Sequence, residues 1–279
     1  MENRKAEIVE LELWSKILMF SIASLIVILN SIEIHVHRRT TKKHFYEKML
    51  MSLSFSDLAC GLFASVTVPY LSIVKNKLYI VLHWNVWGFA LCYVTLISLM
   101  HLIIISADRL WAIGAPLNHR QYATKKKLVV ALILSWSVPL IFIIVFICLV
   151  LINEMKPAEI YWFGTGTMFT VVARVVLIND IVLLICYSAI MWLVRRNKDI
   201  INPINSPRKT NTLVLCCSIV SVFVCFTTPF VVVFVTNWSS PQWSIKFATI
   251  LFPFNQICNS IIYLVHKYRS TRPKNAASK

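Results

Sequence analysis

Seven stretches of the chain, near residues 13–36, 48–73, 84–112, 127–152, 166–194, 210–236 and 244–266, are apolar and nearly free of charge. Each is long enough to cross a hydrocarbon core, which takes about 20 helical residues. The connections between them are short, and no soluble domain is appended. The pattern predicts an all-α membrane protein, a seven-transmembrane helix bundle over 13–266, with a short segment 1–12 before it and a basic tail 267–279 after it. Composition agrees: 58% of residues are hydrophobic and 14% charged, too little charge to cover a soluble surface.

The net charge of +16 raises nucleic-acid binding as a question that its distribution answers. Twenty of the basic residues fall in alternate connections and the tail: Arg38, Arg39, Lys42, Lys43 and Lys48; Arg109, Arg120 and Lys125 to Lys127; Arg195, Arg196, Lys198, Arg208 and Lys209; and Lys267, Arg269, Arg272, Lys274 and Lys279. The opposite side holds six, balanced by six glutamates. The excess is a topology signal, which predicts the amino terminus outside and the carboxyl terminus in the cytoplasm. It does not mark a nucleic-acid partner.

No basic n-region or small-residue cleavage site precedes the first apolar run, so that run reads as a span rather than a removable signal. All eight cysteines lie inside predicted spans, and none sits in an outer loop where a disulfide would form. They read as small apolar packing residues. Asn237 opens a glycosylation sequon on the outer side. Residues 195–211 read as a basic cytoplasmic loop. The tail after Tyr263 could begin as a short helix on the inner leaflet. No internal repeat is present.

Polar groups at membrane depth are costly and default to functional candidates. Here they are Glu33, Asp57, Arg174 and Asp180, joined by Asn30, Ser98, Asn179, Asn255 and Asn259. Asp57 stands mid-span in "LSFSDLACG", where an ionised carboxylate needs a cation or several donors. Interhelical hydrogen bonding is the alternative reading of the whole set. Asp108 and Arg109 end the third run in "DRLWAIGAPL", where Arg109 can snorkel toward water beside its neutralising neighbour.

This constellation resembles the rhodopsin-like (class A) G-protein-coupled receptors. "DRLWAIGAPL" is similar to their Asp-Arg-Tyr motif, with Leu110 in place of tyrosine and Pro116–Leu117 following at the family's interval. Asn30 corresponds to the helix-one asparagine, Asp57 to the helix-two aspartate, and Trp136 to the helix-four tryptophan. Tyr187 matches the inner tyrosine of helix five. "FVCFTTP", with Phe223 and Pro229, resembles the Phe-x-x-x-Trp-x-Pro of helix six, and "NSIIY" (259–263) the Asn-Pro-x-x-Tyr of helix seven. The resemblance covers essentially the whole chain.

The chain also departs from the family. Trp84 stands where the helix-three cysteine belongs, so the usual outer disulfide is not expected. Thr227 replaces the helix-six tryptophan, Asn179 the helix-five proline and Ser260 the helix-seven proline. Leu91 replaces the aspartate of amine receptors. Pro253 replaces the retinal lysine of opsins, so no retinal, and no other organic cofactor, is expected. Lys209 occupies a position where some members carry an acid that clamps the helix-three arginine.

The resemblance implies a receptor, not an enzyme, in the plasma membrane. It would transduce an unidentified extracellular ligand into activation of a heterotrimeric G protein through Asp108, Arg109, Pro116, Leu117, Tyr187, Phe223, Pro229, Asn259 and Tyr263. Asn30, Asp57, Ser98, Asn255 and Asn259 resemble the family's sodium-and-water site, with Asp57 as the sodium ligand or, alternatively, a dry protonated acid. The ligand wall is expected at Trp87, Leu91, Thr95, Arg174, Phe230, Phe234 and Thr249, mostly apolar with one cation, suiting a lipid or small organic anion; snorkelling, or pairing with another helix, is the alternative reading of Arg174. The missing restraints predict high basal activity. The alternative function is a seven-span transporter or channel, which needs a continuous polar pore stripe. The polar residues instead concentrate in the inner half. An enzyme needs a nucleophile–base pair or metal cluster, and the seven histidines form no such cluster in the sequence.

Overall fold

A computed structural model of the chain describes residues 13–39, 45–73, 77–122, 124–152, 168–196, 207–236 and 253–271. Every element among them is a helix: α1 (Leu13–Arg39), α2 (Phe45–Ile73), α3 (Lys77–Gly114), α4 (Pro116–Tyr122), α5 (Lys125–Ile152), α6 (Met168–Arg196), α7 (Pro207–Thr236) and α8 (Phe254–Thr271). At about 1.5 Å of rise per residue, even the 27 residues of α1 outreach a hydrocarbon core of about 30 Å.

Five helices carry segments long and apolar enough to cross a membrane. They are Lys16–Arg39, Phe45–Thr67, Gly88–Gly114, Lys125–Leu149 and Phe169–Arg196. The sixth predicted run appears within α7 as the shorter apolar segment Val214–Pro229. The seventh is described only from Pro253, and α8 continues unbroken past His266 to Thr271 instead of ending and restarting as a separate surface helix. α3 begins at Lys77, before the apolar run near 84, because nothing between those positions breaks a helix.

Neighbouring helices close a ring. α1 packs on α2, α2 on α3, α3 on α6, α6 on α7, α7 on α8, and α8 back on α1. α5 attaches to the outside through α3 and, more lightly, α2. Burial separates the two roles: 67% of the spanning window of α3 lies inside the protein against 22% of that of α5. α3 is the shared wall, and its Leu96, Leu99 and Leu102 meet Leu50 and Leu53 of α2, Val176 and Leu183 of α6 and Phe223 of α7 in one core.

The outer faces are apolar as well. Ile133, Ile141 and Ile144 of α5 and Ile178 and Ile185 of α6 are exposed, the inverse of a water-soluble surface. Lipid tails satisfy such a face, because the helices already bond their own backbone. α1 and α2 meet closely at Gly61. A Cβ there would lie 2.8 Å from Ile26 Cγ2 and 3.2 Å from the Ala23 carbonyl oxygen, so a small residue sets this helix separation.

The turn from α3 into α5 holds the short helix α4, which the hydropathy pattern does not anticipate. Pro116 starts it, a position where the missing proline N–H is no loss. The backbone N–H of Ala115 donates to Trp111 and that of His119 to Ala115, both at 2.9 Å. Thr124 then caps α5, its hydroxyl accepting from the Lys127 N–H at 3.4 Å.

Candidate functional site

The end of α3 carries the densest charged cluster in the described bundle. Arg109 donates from Nε at 3.1 Å, and also from Nη2, to one carboxylate oxygen of Asp108. The other oxygen of Asp108 faces His119 Nε2 of α4 at 2.9 Å. The guanidinium lies over the Tyr46 ring of α2, 4.7 Å from its centre, an attraction to the ring face. His119 meets Trp111 edge-on at 5.5 Å, and Lys127 Nζ sits 4.8 Å above the same indole. Asp108 therefore divides its carboxylate between two helices, and Arg109 is gripped by groups of α2 and α3. Pro116 and Leu117 lie beside this cluster on an exposed turn; Leu117 is 77% exposed.

Tyr187 of α6 and Tyr263 of α8 are both buried, but they are held differently. The Tyr263 ring stacks on His37 of α1 at 4.1 Å, and its hydroxyl donates to His37 Nδ1 at 3.1 Å. The far nitrogen of His37 faces Glu33 at 3.5 Å. The Tyr187 hydroxyl, near Ser106 of α3, has no hydrogen-bond partner among the described residues. Glu33, one of the acids that the sequence places at membrane depth, thus belongs to a chain that ties α1 to α8. His37, one helical turn after Glu33, was the signal available for it.

Further inside, the candidate polar residues separate. Asn30 accepts from Ser260 of α8 at 3.0 Å and donates to the Ile26 carbonyl at 2.9 Å. The serine that replaces the helix-seven proline is therefore a partner of the helix-one asparagine. Ser98 faces Asp57 but gives its hydrogen to the Val94 carbonyl at 3.1 Å. Both oxygens of Asp57, the carboxamide oxygen of Asn255 and both polar atoms of Asn259 are buried without a hydrogen-bond partner among the described residues. Four of these five atoms are oxygens, the donor type that a hard cation such as sodium takes.

Sequence reading missed a second polar tie. The ring of His101, fully buried in α3, places Nδ1 2.8 Å from the Ile97 carbonyl and Nε2 3.0 Å from the Ser52 hydroxyl of α2. A carbonyl only accepts, so Nδ1 carries the proton and Nε2 accepts from Ser52. Ser52 in turn accepts from the Trp136 indole of α5 at 3.0 Å. This relay fastens α5 to the ring. Its distance from the charged α3 end left His101 looking like an isolated polar residue in an apolar run.

In α7, Phe223 is among the most buried side chains, and Pro229 lies inside the helix, where it leaves the Cys225 carbonyl without an amide partner. Thr227, in the position of the family's tryptophan, donates to the Phe223 carbonyl at 2.8 Å and lies 3.2 Å from a carboxylate oxygen of Asp180 on α6. Two residues that the sequence singled out separately thus meet across the α6–α7 contact. Asn179 bonds back to the Val175 carbonyl at 2.7 Å.

Of the expected ligand wall, the structure describes the side chains of Leu91, Thr95 and Arg174. Leu91 and Thr95 are buried, Thr95 bonding to the Leu91 carbonyl at 2.8 Å. Arg174 is exposed on α6, while its neighbours Val172, Ala173 and Val176 face inward, so it supplies no cation to an interior wall. The side chains of Trp87, Phe230, Phe234 and Lys209 lie outside the described set, as do residues Thr249 and Asn237 altogether. A cavity of about 200 Å³ lies among α1, α2, α3, Trp136 of α5 and the start of α8, and of the described wall residues Leu91 lines it.

A closed ring of apolar helices, with lipid-like outer faces and polar groups drawn inside and to one end, defines a multi-pass membrane protein. The family model of the seven-transmembrane receptors of the rhodopsin family matches residues 24–263, from α1 to α8, and the chain belongs to that family of receptors. A comparison with curated proteins finds no match.

Proposed function

We propose that the protein is a plasma-membrane receptor, amino terminus outside, that turns an extracellular ligand into activation of a heterotrimeric G protein at the end carrying Arg109. The observation that supports this most is the cluster at Asp108 and Arg109. It is a cation held by a same-helix acid and an aromatic face, with no acidic residue anywhere in α7 to hold it from across the bundle. On activation Arg109 leaves Asp108 for the incoming G protein, and His119 keeps its contact with the carboxylate. α7 swings about Pro229. Tyr263 releases His37, and the unpartnered hydroxyl of Tyr187 finds a partner in the opened cleft. A family sodium ion would be held by Asp57 with Asn255 and Asn259, and it would supply a positive charge that favours the inactive packing.

High basal activity follows from the same restraints. They are local to α2, α3 and α4, and a two-state equilibrium moves across its midpoint with only a few kcal/mol. The test is a panel of G-protein dissociation assays in cells across a range of surface expression. At least one heterotrimer is expected to dissociate above mock-transfected cells and in proportion to receptor level. No response from any heterotrimer, with or without candidate ligands, would remove the reading.

A further inference from the structure

The cavity among α1, α2, α3 and α8 is lined almost wholly by carbon, with Gln256 of α8 on its wall. Gln256 is 4% exposed, and its side-chain oxygen has no hydrogen-bond partner among the described residues, while the amide faces Cys60 of α2, which also lines the space. A buried, unbonded amide oxygen in an apolar chamber is an uncompensated loss of hydration. It is the feature that a ligand group would complete.

The walls also give the route in. Met19 of α1 and Trp136 of α5 line the same cavity, yet α5 attaches to the ring through α3 and α2. The cavity must therefore pass between α2 and α3. Three alanines line the cavity, Ala59 and Ala64 on α2 and Ala90 on α3, and Ala59 is exposed. The opening faces lipid rather than water.

We propose that this cavity is a binding site for a small apolar molecule carrying one hydroxyl group, admitted from the bilayer between α2 and α3 and anchored on Gln256. Size limits the ligand. An apolar cavity of about 150 Å³ takes benzene, so about 200 Å³ admits one or two fused rings or a short branched chain, not a whole phospholipid. A hydroxyl both donates and accepts, so it satisfies the Gln256 amide in either orientation. The site shares Leu91 with the expected ligand wall, but its anchor Gln256 and its opening between α2 and α3 lie outside that wall, and it does not depend on G-protein coupling.

The test uses the full chain in nanodiscs, with 1-naphthol as probe and naphthalene as the matched ligand without the hydroxyl. Saturable binding beyond that of empty nanodiscs is read from probe fluorescence. Naphthol should bind about fivefold more tightly than naphthalene, after correction for partitioning into lipid. Gln256→Leu should erase that preference without loss of naphthalene binding. Ala90→Phe and, from the opposite helix, Ala64→Leu should abolish binding of both probes in protein that keeps its thermal unfolding transition. The wild-type preference alone tests the anchor should either filled variant fail to fold. Non-saturable uptake equal to empty nanodiscs, equal affinity for the two probes, or undiminished binding in a folded filled variant would overturn the proposal.

Discussion

Two carboxylates on adjacent helices of the same ring, one half-buried and one fully buried, live in opposite circumstances. Asp108 spends both oxygens, one on Arg109 and the other on His119, and lies at the end of α3 within reach of water. Asp57 lies at the middle of α2 with neither oxygen bonded among the described residues. A saturated carboxylate is a fastening whose removal releases what it held, whereas an unbonded one carries its desolvation cost until something arrives. The first is suited to a latch, and the second to a site.

Breaking the latch should give the largest effect. Asp108→Ala removes the acceptor of a charge-assisted pair, worth about 1.5–3 kcal/mol, and should raise ligand-independent G-protein dissociation by about tenfold at matched surface level. A fall would mean that Asp108 itself is needed for coupling. Asp57→Asn should act in the other direction on stability. With no bond to lose, it should raise the unfolding midpoint in sodium-free buffer by about 2–4 °C, the equivalent of about 1 kcal/mol. It should also abolish any effect of sodium on agonist affinity. A lowered midpoint would show that the carboxylate is bonded after all.

Smaller changes sharpen the latch. Tyr46→Ala removes the ring beneath Arg109, a contact worth about 0.5–1 kcal/mol, and should raise basal signalling by about two- to fivefold, while Tyr46→Phe leaves it unchanged. Equal effects of the two variants would assign the role to the hydroxyl. His119→Ala should lower basal signalling by about twofold, because Asp108 then serves Arg109 alone and holds it by a fraction of a kcal/mol more. That sign, opposite to Tyr46→Ala, distinguishes competition for the carboxylate from simple loosening.

Much of the bundle could be read from the chain, because a lipid-facing helix must be apolar over a length set by the bilayer. Hydropathy located the first five spans well. It could not locate α4, whose seven residues are short and polar and owe their shape to Pro116. At the site, the neighbours Asp108 and Arg109 were legible as a pair. Thr227 and Asp180 were each noticed, but their meeting depends on how α6 and α7 rotate against each other, which neither helix encodes alone. His101 and Ser52 failed for the same reason. Arg174 stayed open between a pocket wall and a snorkelling position because a cation in an apolar run says nothing about which face it takes, and on α6 it takes an exposed one. The cavity was illegible because small residues such as Ala64 and Ala90 mark empty space only when their helices are set side by side.

In the mechanism we propose, Arg109, held by Asp108, is the group through which the receptor acts on a G protein. The most direct measurement is nucleotide exchange on purified heterotrimer by the reconstituted protein, comparing wild type and Arg109→Ala at equal folded amounts against empty bilayers. Wild type should exceed empty bilayers without any ligand, and Arg109→Ala should fall to their level while its unfolding transition stays intact. Exchange by a folded Arg109→Ala protein equal to that of wild type would contradict the account.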